Sequence, residues 1–161
     1  LSQMLAVGEI DVLHSPRMPS TLHTQPAKVK RLFEDYVDVE RAYFRKTRIF
    51  PIMHLIAIRR EVYEANRWIA MELYKAFVEA QRIAYRELYE TAALRNMLPW
   101  MIAEIEWLKR EMGDDWWPYG YAPNRHCLDT FLRYHHEQGL SKRRLQPEEL
   151  FVPETMEAFK I

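Results

Sequence analysis

The sequence predicts an α/β chain in which helices far outnumber strands, and three observations carry that expectation. The first is a short apolar run, Ile10, Val12 and Leu13, bounded by Gly8 before it and by Pro16 and Pro19 after it. The second is the nearly unbroken apolar stretch Ile52-Met53-His54-Leu55-Ile56-Ala57-Ile58. Its β-branched residues suit a strand buried on both faces, as in a covered parallel sheet. The third is the spacing of Ile69, Leu73, Phe77, Ala80, Ala84 and Leu88, which lays an apolar stripe along one long helix.

Taken in order, LAVGEIDVLHSPR reads as a helix end, a turn at Gly8, then a strand. Pro16 and Pro19 break regular structure and leave Ser15, Arg17, Met18 and Ser20 on a loop at the strand's end. Residues 21–27 read as further loop, and Val29, Leu32 and Phe33 as another short strand. Val39, Ala42 and Tyr43 have helical spacing, with Asp38 as cap and Pro51 ending the stretch. After the long helix, a second is expected from Asn96 to Met112, with Pro99 in its first turn and Gly113 beyond its end. The aromatic loop DDWWPYGYAP follows, then a helix from near Pro123 to Gly139. The tail carries Pro147 and Pro153 and reads as extended chain with short helical turns packed on the body. Two or three strands make a poor sheet on their own, so the remaining strands are expected from polypeptide preceding this chain.

Composition excludes several functions. Lys and Arg number 23, as do Asp and Glu, so no global charge draws the chain to nucleic acid or an anionic membrane. A hydrophobic fraction of 48% with 13% aromatics fits a packed core within the 161 residues and argues against disorder. Cys127 is the one cysteine, so no internal disulfide can form, and a reducing compartment is favoured. No metal is expected. His135 and His136 adjoin on a helix and so point about 100° apart, and His126 and Cys127 lack partners at ligand spacing. A phosphate cradle and a dinucleotide fingerprint are both missing, so no organic cofactor is expected. No apolar run approaches the roughly 18–20 residues of a membrane span. Trp116, Trp117 and Tyr119 are candidates for the lining of an aromatic pocket, with a hydrophobic plug between helices the plainer reading, and Lys142, Arg143 and Arg144 read as a solvated basic turn.

The unit GEIDVLHSPR, with the strand and helix after it, resembles the return half of a type-II periplasmic-binding-protein fold. More specific stretches are SPRMPS, RLFEDY, TRIFPIMHLIAIR, LPWMIAEIE, MGDDWWPYG, PNRHCLDTFLRYHHEQGL and RLQPEELFVPET. Together and in this order they resemble the 4,5-dihydroxyphthalate decarboxylases. The resemblance implies a periplasmic-binding-protein-like fold of which this chain is the carboxy-terminal half. Residues 1–20 would be the end of the second lobe and the hinge strand, and residues 21–161 the return to the first lobe with the carboxy-terminal helices. It further implies a cytoplasmic enzyme, compatible with a homo-oligomer, whose partner is a small aromatic acid. The alternative on the same scaffold is a periplasmic solute-binding protein that delivers an aromatic or small anionic ligand to an ABC transporter. A signal peptide or lipobox upstream would separate the two.

The implied reaction converts 4,5-dihydroxyphthalate to protocatechuate. One hydroxyl lies para to the departing carboxylate, so its deprotonation pushes electron density onto the ipso carbon, which takes a proton as carbon dioxide leaves. The protein must then bind a dianion, activate a phenol and deliver a proton. Arg17 is the expected carboxylate clamp, on a loop at a strand end where open α/β sheets hold ligands. Ser15 and Ser20 would add hydroxyl donors. His54 is the expected proton donor or phenol partner, and His14, beside Arg17, is a second acid–base candidate. The plainer alternatives are a surface arginine in a Pro-rich turn and a hydrogen-bonded core histidine.

Overall fold

The computed structural model describes residues 1–156, and the chain divides into two compact units, Leu1–Arg48 and Ile49–Ile161. The first unit holds α1 (Ser2–Val7), α2 (Thr21–Thr24) and α3 (Tyr36–Thr47). Helix α1 ends at the expected glycine. Gly8 takes φ 80° and ψ 17°, and the Glu9 N–H donates to the Met4 carbonyl at 2.9 Å, which satisfies an orphan acceptor of the last turn. Helix α2 is tied to α1 by a reciprocal pair. The Thr21 N–H donates to Ser2 Oγ at 3.1 Å, and the Thr21 hydroxyl donates to the Ser2 carbonyl at 3.1 Å. Apolar burial in this unit is slight, at Ala6 and Val29, and α3 buries no residue fully.

The second unit holds α4 (Arg60–Ala65), α5 (Trp68–Leu88), α6 (Met101–Met112) and α7 (Tyr121–Glu137), followed by single 3₁₀ turns at Pro147–Glu149 and Pro153–Thr155. The apolar stripe that predicted the long helix lies on α5, where Tyr85 and Leu88 pack on a core of Met101, Ile105 and Trp116. Pro99 stands outside α6, which begins at Met101 rather than Asn96. The residue before a proline is pushed out of the helical region, so Leu98 cannot be helical and the helix cannot run through from Asn96. On α7, Tyr121, Leu128 and Leu132 are buried at spacings that share one face.

The tail as far as Met156 packs on this body as expected, and its last five residues lie outside the described ones. Pro147 is fully buried. The Tyr121 hydroxyl donates to Glu148 at 2.5 Å, and the Tyr63 hydroxyl donates to Glu154 at 2.7 Å. These phenol hydrogen bonds hold both carboxyls below the usual carboxylate range. Arg143 lies on the solvated turn expected of it, and it also holds an ion pair. Its guanidinium grips Glu149 with two hydrogen bonds, at 2.9 and 2.5 Å, and holds that carboxyl down to about 2.

The expected strands are absent among the described residues. Segments 9–18 and 49–59 run as irregular chain without ladder hydrogen bonds. Val29, expected in a strand, instead closes a turn after α2, its N–H donating to the Gln25 carbonyl at 3.1 Å, while Leu32 and Phe33 are exposed. Residues 21–24, expected as loop, form α2. The reason is common to all three runs. A strand is stabilised by neighbours that satisfy its N–H and C=O groups, and neither unit supplies a second strand. The mostly helical part of the expectation stands. None of the described helices is long and apolar enough to cross a membrane.

One backbone position carries a testable cost. Gly120 precedes α7 with φ 97° and ψ 170°, a region essentially closed to side chains. A Cβ there would also overlap the Tyr74 hydroxyl and lie 2.8 Å from Tyr74 Cζ. Gly120→Ala is expected to lower the unfolding free energy by about 2–4 kcal/mol, combining backbone strain with overpacking. Urea unfolding measures it. Adding Tyr74→Phe should restore part of the loss, because the oxygen goes while the strained dihedral stays. A neutral Gly120→Ala would contradict both halves of the argument.

Candidate functional site

The proline-flanked loop begins where α1 stops and ends where Thr21 is tied to Ser2, so both of its ends are fixed by α1. Within it, His14, Ser15 and Arg17 are all exposed and close in sequence. The Arg17 N–H donates to Ser15 Oγ at 3.2 Å, a local turn that sets the backbone from which the guanidinium leaves. No carboxylate of the described residues forms an ion pair with that guanidinium. Ser20 is engaged at the loop's far end, with its hydroxyl 3.2 Å from Ser2 Oγ and its carbonyl accepting from the Thr24 hydroxyl at 3.3 Å. Three of the expected site residues therefore share one short loop, and the fourth anchors its end.

His54 lies in the second unit and is not the core histidine that the apolar run suggested. It is exposed, as are Met53, Leu55 and Ile56 at 54%, 61% and 62%. The run was expected to be buried on both faces. Without sheet neighbours neither face is covered, and the imidazole meets solvent instead of a buried hydrogen-bond partner.

A hollow of about 370 Å³ opens beside the carboxy-terminal part of α5. Tyr85, Leu88, Trp116 and Trp117 line its apolar part, and Glu87, Arg95 and Asn96 its polar part. The two tryptophans divide their tasks. Trp116 is 8% exposed and stacks on Tyr85 with centroids 4.4 Å apart, which is the plug expected from the sequence. Trp117 is 44% exposed and leans on Phe50 at 5.3 Å. Its backbone is held from both sides. The Trp117 N–H donates to the Tyr85 hydroxyl at 3.0 Å, and the Gln81 side-chain amide donates to the Trp117 carbonyl. The Tyr85 hydroxyl donates in turn to Asp115 at 3.2 Å, and burial together with the Asp115 charge pushes this phenol up to about 12. Arg95 reaches Glu87 only at 3.8 Å. The sequence offered the double tryptophan as a candidate pocket lining but not the polar wall, because Arg95 and Asn96 lie in the segment between α5 and α6 that no helical period places.

Over all 161 residues the chain is 40% identical to a 4,5-dihydroxyphthalate decarboxylase of Comamonas testosteroni, of which it covers 49%. This similarity, along the whole of the chain, supports the resemblance to the 4,5-dihydroxyphthalate decarboxylases. The chain spans about half the length of that decarboxylase, and the match takes in the Arg17 loop, the His54 segment and the tryptophan hollow alike. No family model matches the chain. The similarity fits the order of stretches from SPRMPS to RLQPEELFVPET on which the resemblance was drawn.

Proposed function

We propose that this chain forms part of a decarboxylase that converts a hydroxylated aromatic dicarboxylate, 4,5-dihydroxyphthalate, to protocatechuate, on a periplasmic-binding-protein-like fold. The observation that carries this reading is the 40% identity across the whole chain to a decarboxylase of that name. The geometry of the Arg17 loop supports it. A guanidinium suits a carboxylate because its donors bind both oxygens at once, and Arg17 is exposed with no carboxylate among the described residues to pair with it. Ser15 and Ser20 add hydroxyls along the same loop. His14 and His54 are the acid–base groups, because an imidazole can both accept the phenol proton and return one.

The steps balance without an organic cofactor. The phenol para to the departing carboxylate loses its proton, the ipso carbon gains one, the carbon–carboxylate bond breaks, and its electron pair restores the aromatic ring. Carbon dioxide leaves. Incubation of the protein with 4,5-dihydroxyphthalate should therefore yield protocatechuate and carbon dioxide in equal amounts, followed by chromatography and by trapping of the gas. Tight binding of the dicarboxylate without either product would replace the enzyme reading with one of ligand capture.

A further inference from the structure

We propose that the hollow beside α5 is a binding site for a planar aromatic carboxylate, with the ring laid against Trp117 and the carboxylate held by Arg95. At about 370 Å³ the hollow falls in the lower part of the range of small-molecule sites, which suits a single substituted ring. Its walls are aromatic, and the exposed wall is already in place. Trp117 presents its ring while both its N–H and its carbonyl are fixed by Tyr85 and Gln81. Little ordering of that surface is needed on binding, which favours affinity.

The charge pattern selects an acid. Arg95 carries five N–H donors, and its one carboxylate neighbour among the described residues, Glu87, stands at 3.8 Å, beyond ordinary hydrogen-bond length. Side-chain exposures of 64% for Arg95 and 47% for Glu87 mark this as a surface pair that a better-placed anion can displace. Asn96, next in sequence, lines the same hollow, and among the described residues its amide donates to the weakly accepting Met101 sulfur alone, at 3.7 Å. Two adjacent residues thus offer donors with little to saturate them. Glu87 opposes an anionic ligand, so its removal should strengthen binding.

None of these residues has a role in the decarboxylation scheme above, and the two readings are separable although their ligand classes overlap. Calorimetric titration with benzoate, with the indole N–H resonances followed by NMR, tests the site. Benzoate is expected to bind and shift the Trp117 resonance, while uncharged benzamide binds at least about tenfold more weakly, the loss expected of one charge-assisted contact. Arg95→Gln and Trp117→Ala should each weaken benzoate by about tenfold or more, and Glu87→Gln should tighten it about two- to fivefold. Thermal melting of each variant verifies its fold, and Arg95→Lys should keep part of the affinity. Equal binding of benzoate and benzamide, an unmoved affinity in Arg95→Gln, or weaker binding in Glu87→Gln would overturn the proposal. Arg17→Ala should leave benzoate binding at the hollow unchanged. A wild-type protein that binds benzoate here and fails to decarboxylate overturns the enzyme reading alone.

Discussion

Replacing Trp116 with alanine should lower the unfolding free energy by about 3–5 kcal/mol, the range found when a large aromatic is cut from a packed core. The position meets the conditions for the upper part of that range. The ring is 8% exposed, sits on Met101 and Ile105 of α6, and stacks on Tyr85 of α5 at 4.4 Å with planes 21° apart. Its loss would open a cavity at the junction of two helices and a loop, where the surrounding backbone has little freedom to collapse. It would also expose Tyr85, whose hydroxyl organises Asp115 and the Trp117 N–H. Because natural domains are stable by only about 5–15 kcal/mol, this single truncation removes a large share of the total. Urea unfolding followed by far-ultraviolet circular dichroism measures the change. Trp116→Phe should cost clearly less, since a ring remains to stack. A loss under about 1 kcal/mol in Trp116→Ala would mean that the stacked core is not what holds α5 and α6 together.

What could be read from the sequence depended on how local the cause was. The α5 stripe, the Gly8 stop and the aromatic loop before α7 are fixed by spacing or by one residue's dihedral freedom, and each lies where the sequence placed it. Residues 10–13 and 52–58 have strand composition, but a strand is a property of a pair, and composition says nothing about whether a neighbour is present. The same gap explains His54. An apolar run argued for burial, while burial depends on what covers the run. The Arg17 loop was legible because two prolines exclude regular structure whatever surrounds them. Arg143 was rightly placed on an exposed turn, but its ion pair was not legible. Its partner Glu149 is six residues away across a 3₁₀ turn, a pairing that no helical or strand period announces.

On the decarboxylase reading, His54→Asn should lower kcat by about 10²–10⁴-fold, the usual contribution of a positioned acid–base group, while KM stays within about threefold. Asparagine keeps a polar side chain of similar reach and cannot take up or release a proton near neutral pH. The imidazole is exposed, so the substitution removes no buried hydrogen bond, and lost turnover cannot be ascribed to a collapsed core. His14→Asn, made separately, decides between the two histidines: the one whose loss also removes a limb from the pH–rate profile carries the proton. Arg17→Ala should behave differently, raising KM by about 10–100-fold, because a charge-assisted contact to a carboxylate is present in the bound substrate as well as in the transition state. Arg17→Lys should recover charge but not the bidentate grip, and so only part of the affinity. Steady-state kinetics of protocatechuate release resolves the split. Wild-type kcat in both histidine variants would remove them from the chemistry, and an unchanged KM in Arg17→Ala would return that guanidinium to the ordinary surface.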